Sequence, residues 1–159
     1  MSQDSVAEVF VVDDDPSVQR ALRRLLTTNG LAARVFSNAT EFLEQGAPLP
    51  AVGCLVLDVK MPGLSGLDLQ AELQQRGLRL PIVFITGQAP VPMSVQAMKQ
   101  GAVDFLQKPF DGQTLIATIR KAIARSRQQA AEENECLDLE QRFESLSPRE
   151  RDVFRLVLQ

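Results

Sequence analysis

Asp13, Asp14 and Asp15 stand directly after the apolar run Val9-Phe10-Val11-Val12, and Asp58 stands directly after a second such run, Cys54-Leu55-Val56-Leu57. Carboxylates gathered in one cleft repel, so the grouping persists only where a cation or a shared proton relieves it. The chain contains no histidine, which excludes a Ser-His or Cys-His nucleophile pair and any imidazole metal site. The chemistry left to it uses oxygen ligands and lysine. Asp15 has the plainer reading of a helix cap, because Pro16 follows it. Asp13, Asp14 and Asp58 read as a metal-holding group.

Bringing them together is a task for strands. Short apolar runs rich in β-branched residues are expected in parallel sheets buried on both faces. Ligands of such sheets bind at the carboxyl ends of the strands, near a topological switch point. The spacing predicts a first strand over 8–13 and a helix from Pro16 with the stripe Val18, Ala21, Leu22, Leu25 and Leu26, stopped by Asn29-Gly30. A strand over 32–36, a short helix over about 39–44 capped by Ser37 or Asn38, and a loop over 45–53 follow. The third strand, 54–58, runs into the turn Lys60-Met61-Pro62-Gly63, and Gly66 precedes a helix carrying Leu67, Leu69, Ala71 and Leu73. Pro81 opens a strand over 82–86, followed by a loop over 87–92 and a helix over 93–99 that Gly101 ends. A fifth strand over 103–107 leads to Lys108-Pro109-Phe110 and to a last helix from about Asp111. Strand–helix alternation with short connections predicts a doubly wound α/β sheet covered on both faces.

With 159 residues the chain has room for one well-buried domain and a tail. A formal net charge of −3 gives no global reason for the residues present to bind nucleic acid. Cys54 lies within a predicted buried strand, where a free thiol is usual, so a reducing cytoplasm is expected. The polar stretch 1–8 reads as no leader, and no apolar stretch approaches the ~20 residues that span a bilayer, so no membrane role is expected.

Four motifs then occur in order: Val11-Val12-Asp13-Asp14-Asp15, Leu57-Asp58-Val59-Lys60-Met61-Pro62-Gly63, Ile85-Thr86-Gly87 and Phe105-Leu106-Gln107-Lys108-Pro109-Phe110. Together they resemble the receiver domain of bacterial response regulators across about residues 6–125. Residues 91–99 and 101–105 resemble the NarL/FixJ group more narrowly. Leu146-Ser147-Pro148-Arg149-Glu150-Arg151-Asp152 is similar to the opening of a LuxR-type helix-turn-helix domain.

The resemblance implies a flavodoxin-like, five-stranded parallel sheet in the order 2-1-3-4-5 with a C-terminal helical extension. It implies that Asp58 accepts a phosphoryl group from a sensor histidine kinase. Asp14 would bind Mg²⁺ directly, joined by the Asp58 side chain and the Lys60 carbonyl, with Asp13 acting through a water. Lys108, after a cis bond to Pro109, would bring positive charge to Asp58 and the phosphate. Thr86 and Phe105 would form the switch that reshapes the face made by the fourth helix, fifth strand and fifth helix. In this family that face commonly makes a homodimer, which brings DNA-binding domains together. The protein would thus be a cytoplasmic phosphoacceptor with only self-phosphorylation and autodephosphorylation of its own.

Residues 1–125 are expected to form the receiver, 126–144 a helical or partly helical linker, and 145–159 the first helix of a LuxR-type DNA-binding domain. That last helix has a capping box at Ser147-Pro148-Arg149-Glu150, and its apolar residues Val153, Phe154, Leu156 and Val157 lack a partner before Gln159. The chain is therefore expected to be a piece of a longer protein, reaching DNA only through a domain mostly absent here. Arg149 and Arg151 read as solvated helix charges. Lys60 and Gln88 would flank the attacking water and tune phosphoryl lifetime. Ala89-Pro90 stands where relatives usually carry a glycine and an acidic residue, which predicts a stiffer switch loop. Two rival readings are a haloacid-dehalogenase-type aspartyl-phosphate hydrolase, from Asp13-x-Asp15, and a pseudo-receiver that dimerises without phosphorylation. Pro16 counts against the first, because a hydroxyl belongs there. Asp58, Thr86 and Lys108 count against the second.

Overall fold

Val9 to Val12 and Cys54 to Leu57 are wholly buried. Continuous burial of this kind needs cover on both faces, which parallel strands flanked by helices provide. A computed structural model describes residues 7–46, 49–50, 52–87 and 91–144 (backbone alone at 91–94 and 142–144). The elements are β1 (Glu8–Val12), α1 (Pro16–Thr28), β2 (Ala32–Phe36), α2 (Ala39–Gln45), β3 (Gly53–Asp58), α3 (Gly66–Gln75), β4 (Ile82–Thr86), α4 (Val91–Lys99), β5 (Asp104–Gln107) and α5 (Gly112–Glu144). All four strand pairings are parallel, and the order is β2-β1-β3-β4-β5. The chain reverses direction across the sheet between β1 and β3, and there the two aspartate-bearing strand ends lie side by side. Val12 pairs with Leu57, so the residues one step further on are Asp13 and Asp58.

On one side of the sheet Phe10, Phe36 and Phe42 pack edge-on or tilted, with ring centroids 5.4–6.2 Å apart. Burying each such ring contributes roughly 1.5–3 kcal/mol. Leu22 and Leu26 of α1 and Leu115, Ile119 and Ala122 of α5 are buried as their helical stripes predict.

The observed boundaries move several expectations. The first strand stops at Val12, one residue early, where the Asp13 carboxylate accepts from Asp15 N and closes a local turn. Asn38, not Ser37, caps α2 and accepts from Glu41 N. Gly66 is the first residue of α3 instead of preceding it. Ser65 is the cap, forming a reciprocal capping box with Asp68. A Cβ at Gly66 would collide with the backbone carbonyl of Asp58, so glycine lets α3 begin hard against the site. α4 starts two residues early, at Val91, and β5 one residue late, at Asp104.

α5 runs unbroken to Glu144, so residues 126–144 are helical throughout. The first of two units runs to Arg127. Ser126, assigned by sequence to the linker, is buried in that unit and accepts from Gly53 N at 3.0 Å. The expected capping box at Ser147 and the helix after it lie outside the described residues. Among the described residues, no helix is long and apolar enough to cross a membrane.

Candidate functional site

Four strand ends supply the site. Asp13 and Asp14 follow β1, Asp58 ends β3, Thr86 ends β4, and Lys108 follows β5. Ligand oxygens of Asp13, Asp14 and Asp58 all lie within 4.8 Å of one another. Asp13 is wholly buried, Asp58 is 6 % exposed and Asp14 is open to solvent. Asp15 stands apart from this group. Its carboxylate accepts from Ser17 N at 2.9 Å and Ser17 Oγ at 2.8 Å, capping α1. Those two bonds hold its pKa below the usual aspartate value.

Lys108 is the cation that relieves the repulsion. Its Nζ lies 2.9 Å from Asp13 Oδ2 and 3.6 Å from Asp58 Oδ2. The bond to Pro109 is cis, and Lys108 N donates to Thr86 O at 2.6 Å. Around the carboxylates, backbone amides complete the cradle: Asp15 N donates to Asp13 Oδ1 at 2.9 Å and Lys60 N to Asp58 Oδ1 at 3.3 Å.

This geometry divides the charge unevenly. Burial first, then the charge of Asp13, pushes the Asp58 carboxyl up to about 6, with Asp14 adding to the effect. Lys108 and the Lys60 amide oppose that rise and do not cancel it. The distances explain why: the ammonium makes its short contact with Asp13, leaving Asp58 the longer one. Burial works against the charge on Lys108, but its hydrogen bond to Asp13 and the charges of Asp13 and Asp58 outweigh it. Its pKa lies above the usual lysine value. Burial alone drives the Cys54 thiol up to about 12, so that residue is inert core.

The donor set is entirely oxygen, it converges from two strands, and one carboxylate opens to water. It fits a hard divalent cation that keeps part of its hydration shell. Thr86 is buried, and the half-buried Phe105 ring sits 5.8 Å from Phe84. The Lys60 side chain is exposed. Gln88, Ala89 and Pro90 lie outside the described residues.

Sequence reasoning missed Gln19. Its Nε2 donates to the Asp13 carbonyl at 2.5 Å and to Ser37 Oγ at 3.3 Å. A polar residue beside an apolar helical stripe carries no signal of such a role.

The response regulator receiver domain family matches residues 9–120. The chain belongs to that family. Nodulation protein W of Bradyrhizobium diazoefficiens is 47 % identical over 151 residues, covering 95 % of this chain and 66 % of that protein. Transcriptional regulatory protein FixJ of Azorhizobium caulinodans is 43 % identical over 150 residues, covering 94 % and 71 %. Among solved structures, response regulator StyR superposes with a TM-score of 0.87 at 43 % identity, covering 96 % of this chain and 77 % of that one. FixJ-N superposes with a TM-score of 0.70 at 38 % identity, covering 76 % and 95 %. The chain thus spans about two thirds of the length of the curated relatives it matches.

This chain is a receiver domain of the kind found in two-component response regulators, and the sheet order 2-1-3-4-5 is the receiver order. Response regulators of this family work with sensor histidine kinases and regulate transcription through an effector domain. Neither the haloacid-dehalogenase-type hydrolase nor the pseudo-receiver is favoured by these relatives.

Proposed function

We propose that Asp58 of this receiver takes the phosphoryl group from a sensor histidine kinase and that the chain converts this event into dimerisation. The observation that carries the reading is Lys108 standing between Asp13 and Asp58, 2.9 and 3.6 Å from them. A carboxylate nucleophile needs a nearby cation and an open approach for an acyl phosphate to form. Asp14, the Asp58 side chain and the Lys60 carbonyl would hold Mg²⁺, with Asp13 assisting through a water. When bound, that ion supplies positive charge against the phosphoryl oxygens.

The remaining work falls to side chains of the chain itself. One Asp58 oxygen attacks the phosphorus of the kinase's phosphohistidine, forming the P–O bond as the P–N bond breaks and the leaving imidazole takes a proton from water, while the Lys60 amide holds the carboxylate in place. Lys108 is mobile and compact enough to transfer its short contact from Asp13 to the new phosphate. The added acceptor oxygens draw the Thr86 hydroxyl inward, and the Phe105 ring follows into the space released. The face of α4, β5 and α5 changes shape and pairs with a second copy. DNA binding belongs to a LuxR-type domain that begins near Leu146. The chain's own chemistry is self-phosphorylation and autodephosphorylation at Asp58.

The test is Mg²⁺-dependent labelling by acetyl phosphate in wild type and Asp58→Asn, with size measured on the same samples. Labelling and dimer formation are both expected to vanish in the variant. A variant labelled as strongly as wild type would overturn the assignment.

A further inference from the structure

We infer that Gln19 is a positioning residue for the metal, setting the direction of the Asp14 carboxylate through the Asp13–Asp14 peptide. This rests on the proposed metal site. Gln19 is half-buried on α1, and its Nε2 holds the Asp13 carbonyl at 2.5 Å and Ser37 Oγ at 3.3 Å. The peptide that carries this carbonyl is planar and joins the two carboxylate-bearing residues of the loop. Fixing its oxygen therefore restrains ψ of Asp13 and φ of Asp14, and with them the directions in which both Cα–Cβ bonds leave the backbone.

The two aspartates depend on that anchor unequally. The Asp13 carboxylate has restraints of its own, from Asp15 N at 2.9 Å and Lys108 Nζ at 2.9 Å. Asp14 is exposed and, among the described residues, its carboxylate has no hydrogen-bond or ion-pair partner. Its aim is therefore limited only from its backbone, which Gln19 grips at the Asp13 carbonyl alongside the Asp13 N–Phe36 O and Asp15 N–Asp13 Oδ1 bonds. Through Ser37 the same amide ties the loop after β1 to the loop after β2. Partners behind the ligands of a metal commonly change its affinity by about 10–100-fold when removed.

Calorimetric titration of the full chain with MgCl₂ tests the inference in wild type, Gln19→Met, Gln19→Ala and Ser37→Ala. Methionine keeps length, neutrality and helix preference while removing the donor. Mg²⁺ affinity is expected to weaken about tenfold in both Gln19 variants, at the low end of the range for such partners. In Ser37→Ala it should change by about twofold or less, because the bond to Asp13 survives. The melting temperatures should stay near wild type. Labelling by acetyl phosphate should keep its maximal rate at saturating Mg²⁺, with the half-saturating Mg²⁺ concentration raised by the same factor as the affinity. Wild-type affinity in both Gln19 variants would overturn the inference and leave the metal site standing. A reduced maximal rate with unchanged affinity would overturn it too. Absence of Mg²⁺ binding by wild type would overturn both the inference and the metal reading beneath it.

Discussion

The strand-end cleft and the distal half of α5 are both acidic, yet only one is built for chemistry. Glu132, Glu133, Glu135, Asp138 and Glu140 outnumber the cleft carboxylates, but all are exposed on a single helix. Water screens charges so placed, and at 4 Å two of them interact by only about 1 kcal/mol. In the cleft, Asp13 and Asp58 come from different strands and lose most of their water. Burial and a neighbouring charge then raise Asp58 to about 6, and a lysine from a third strand end is drawn in. Convergence and desolvation, rather than the number of acidic residues, separate the two regions.

The strongest way to break this comparison is to remove the cation. Lys108→Met leaves Asp13 wholly buried without its 2.9 Å ion pair and leaves Asp58 with less compensation. Removing one partner of a buried pair typically costs 3–5 kcal/mol. Because the lysine side chain keeps 22 % of its exposure, a loss of about 3 kcal/mol is expected near pH 8. The loss should shrink toward pH 5 as Asp58, raised to about 6, takes up its proton. Urea unfolding at both pH values measures it. An unchanged midpoint at pH 8 would mean that the cleft treats charge as the exposed helix does.

A smaller effect sharpens the same contrast from the acid's side. The ordinary aspartate value of 3.8 rises to about 6 at Asp58 in the folded chain. The folded state therefore holds this proton more tightly than the unfolded state does. The associated stability is fully present below pH 3.8 and is lost as pH rises through about 6. Asp58→Asn removes the charge and should stabilise the metal-free protein by about 2 kcal/mol at pH 7.5, with the gain vanishing near pH 4. Thermal melts in a chelating buffer across that range read it. A gain that persists at low pH would point to packing instead of charge.

Much of this arrangement is legible in the sequence because it rests on local patterns. Apolar runs mark β1 and β3, and parallel pairing then forces Asp13 beside Asp58. Asp15-Pro16 and Asn29-Gly30 bracket α1 as their chemistry requires. Ser65-x-x-Asp68 is equally local: it is a capping-box pattern, and it sets the start of α3 at Gly66. What no local pattern contains is the choice Lys108 makes between two acids. That choice depends on how β5 and β1 are spaced across the sheet, between residues 95 positions apart. Gln19 bonding to Ser37 and Ser126 bonding to Gly53 are also contacts between distant segments, and polar residues flanking apolar stripes do not announce them.

The smallest expected effect is at the other pole of the comparison. Glu132→Gln, Glu135→Gln and Glu140→Gln together remove three charges from the exposed helix. Each is solvated, and the Gln128–Glu132 contact of 3.4 Å is long and open to water. Glu132 and Glu135 stand three residues apart on one helix and repel, so neutralising them should favour the helix slightly. The expected change is a stabilisation below about 0.5 kcal/mol that fades with added salt. Mg²⁺ affinity should stay within about twofold of wild type, because water and salt screen charges exposed on a helix surface. Circular dichroism melts and calorimetric Mg²⁺ titration measure the two quantities. A tenfold loss of Mg²⁺ affinity in this variant would mean that these exposed carboxylates act on the metal, and the division between the two acidic regions would fall.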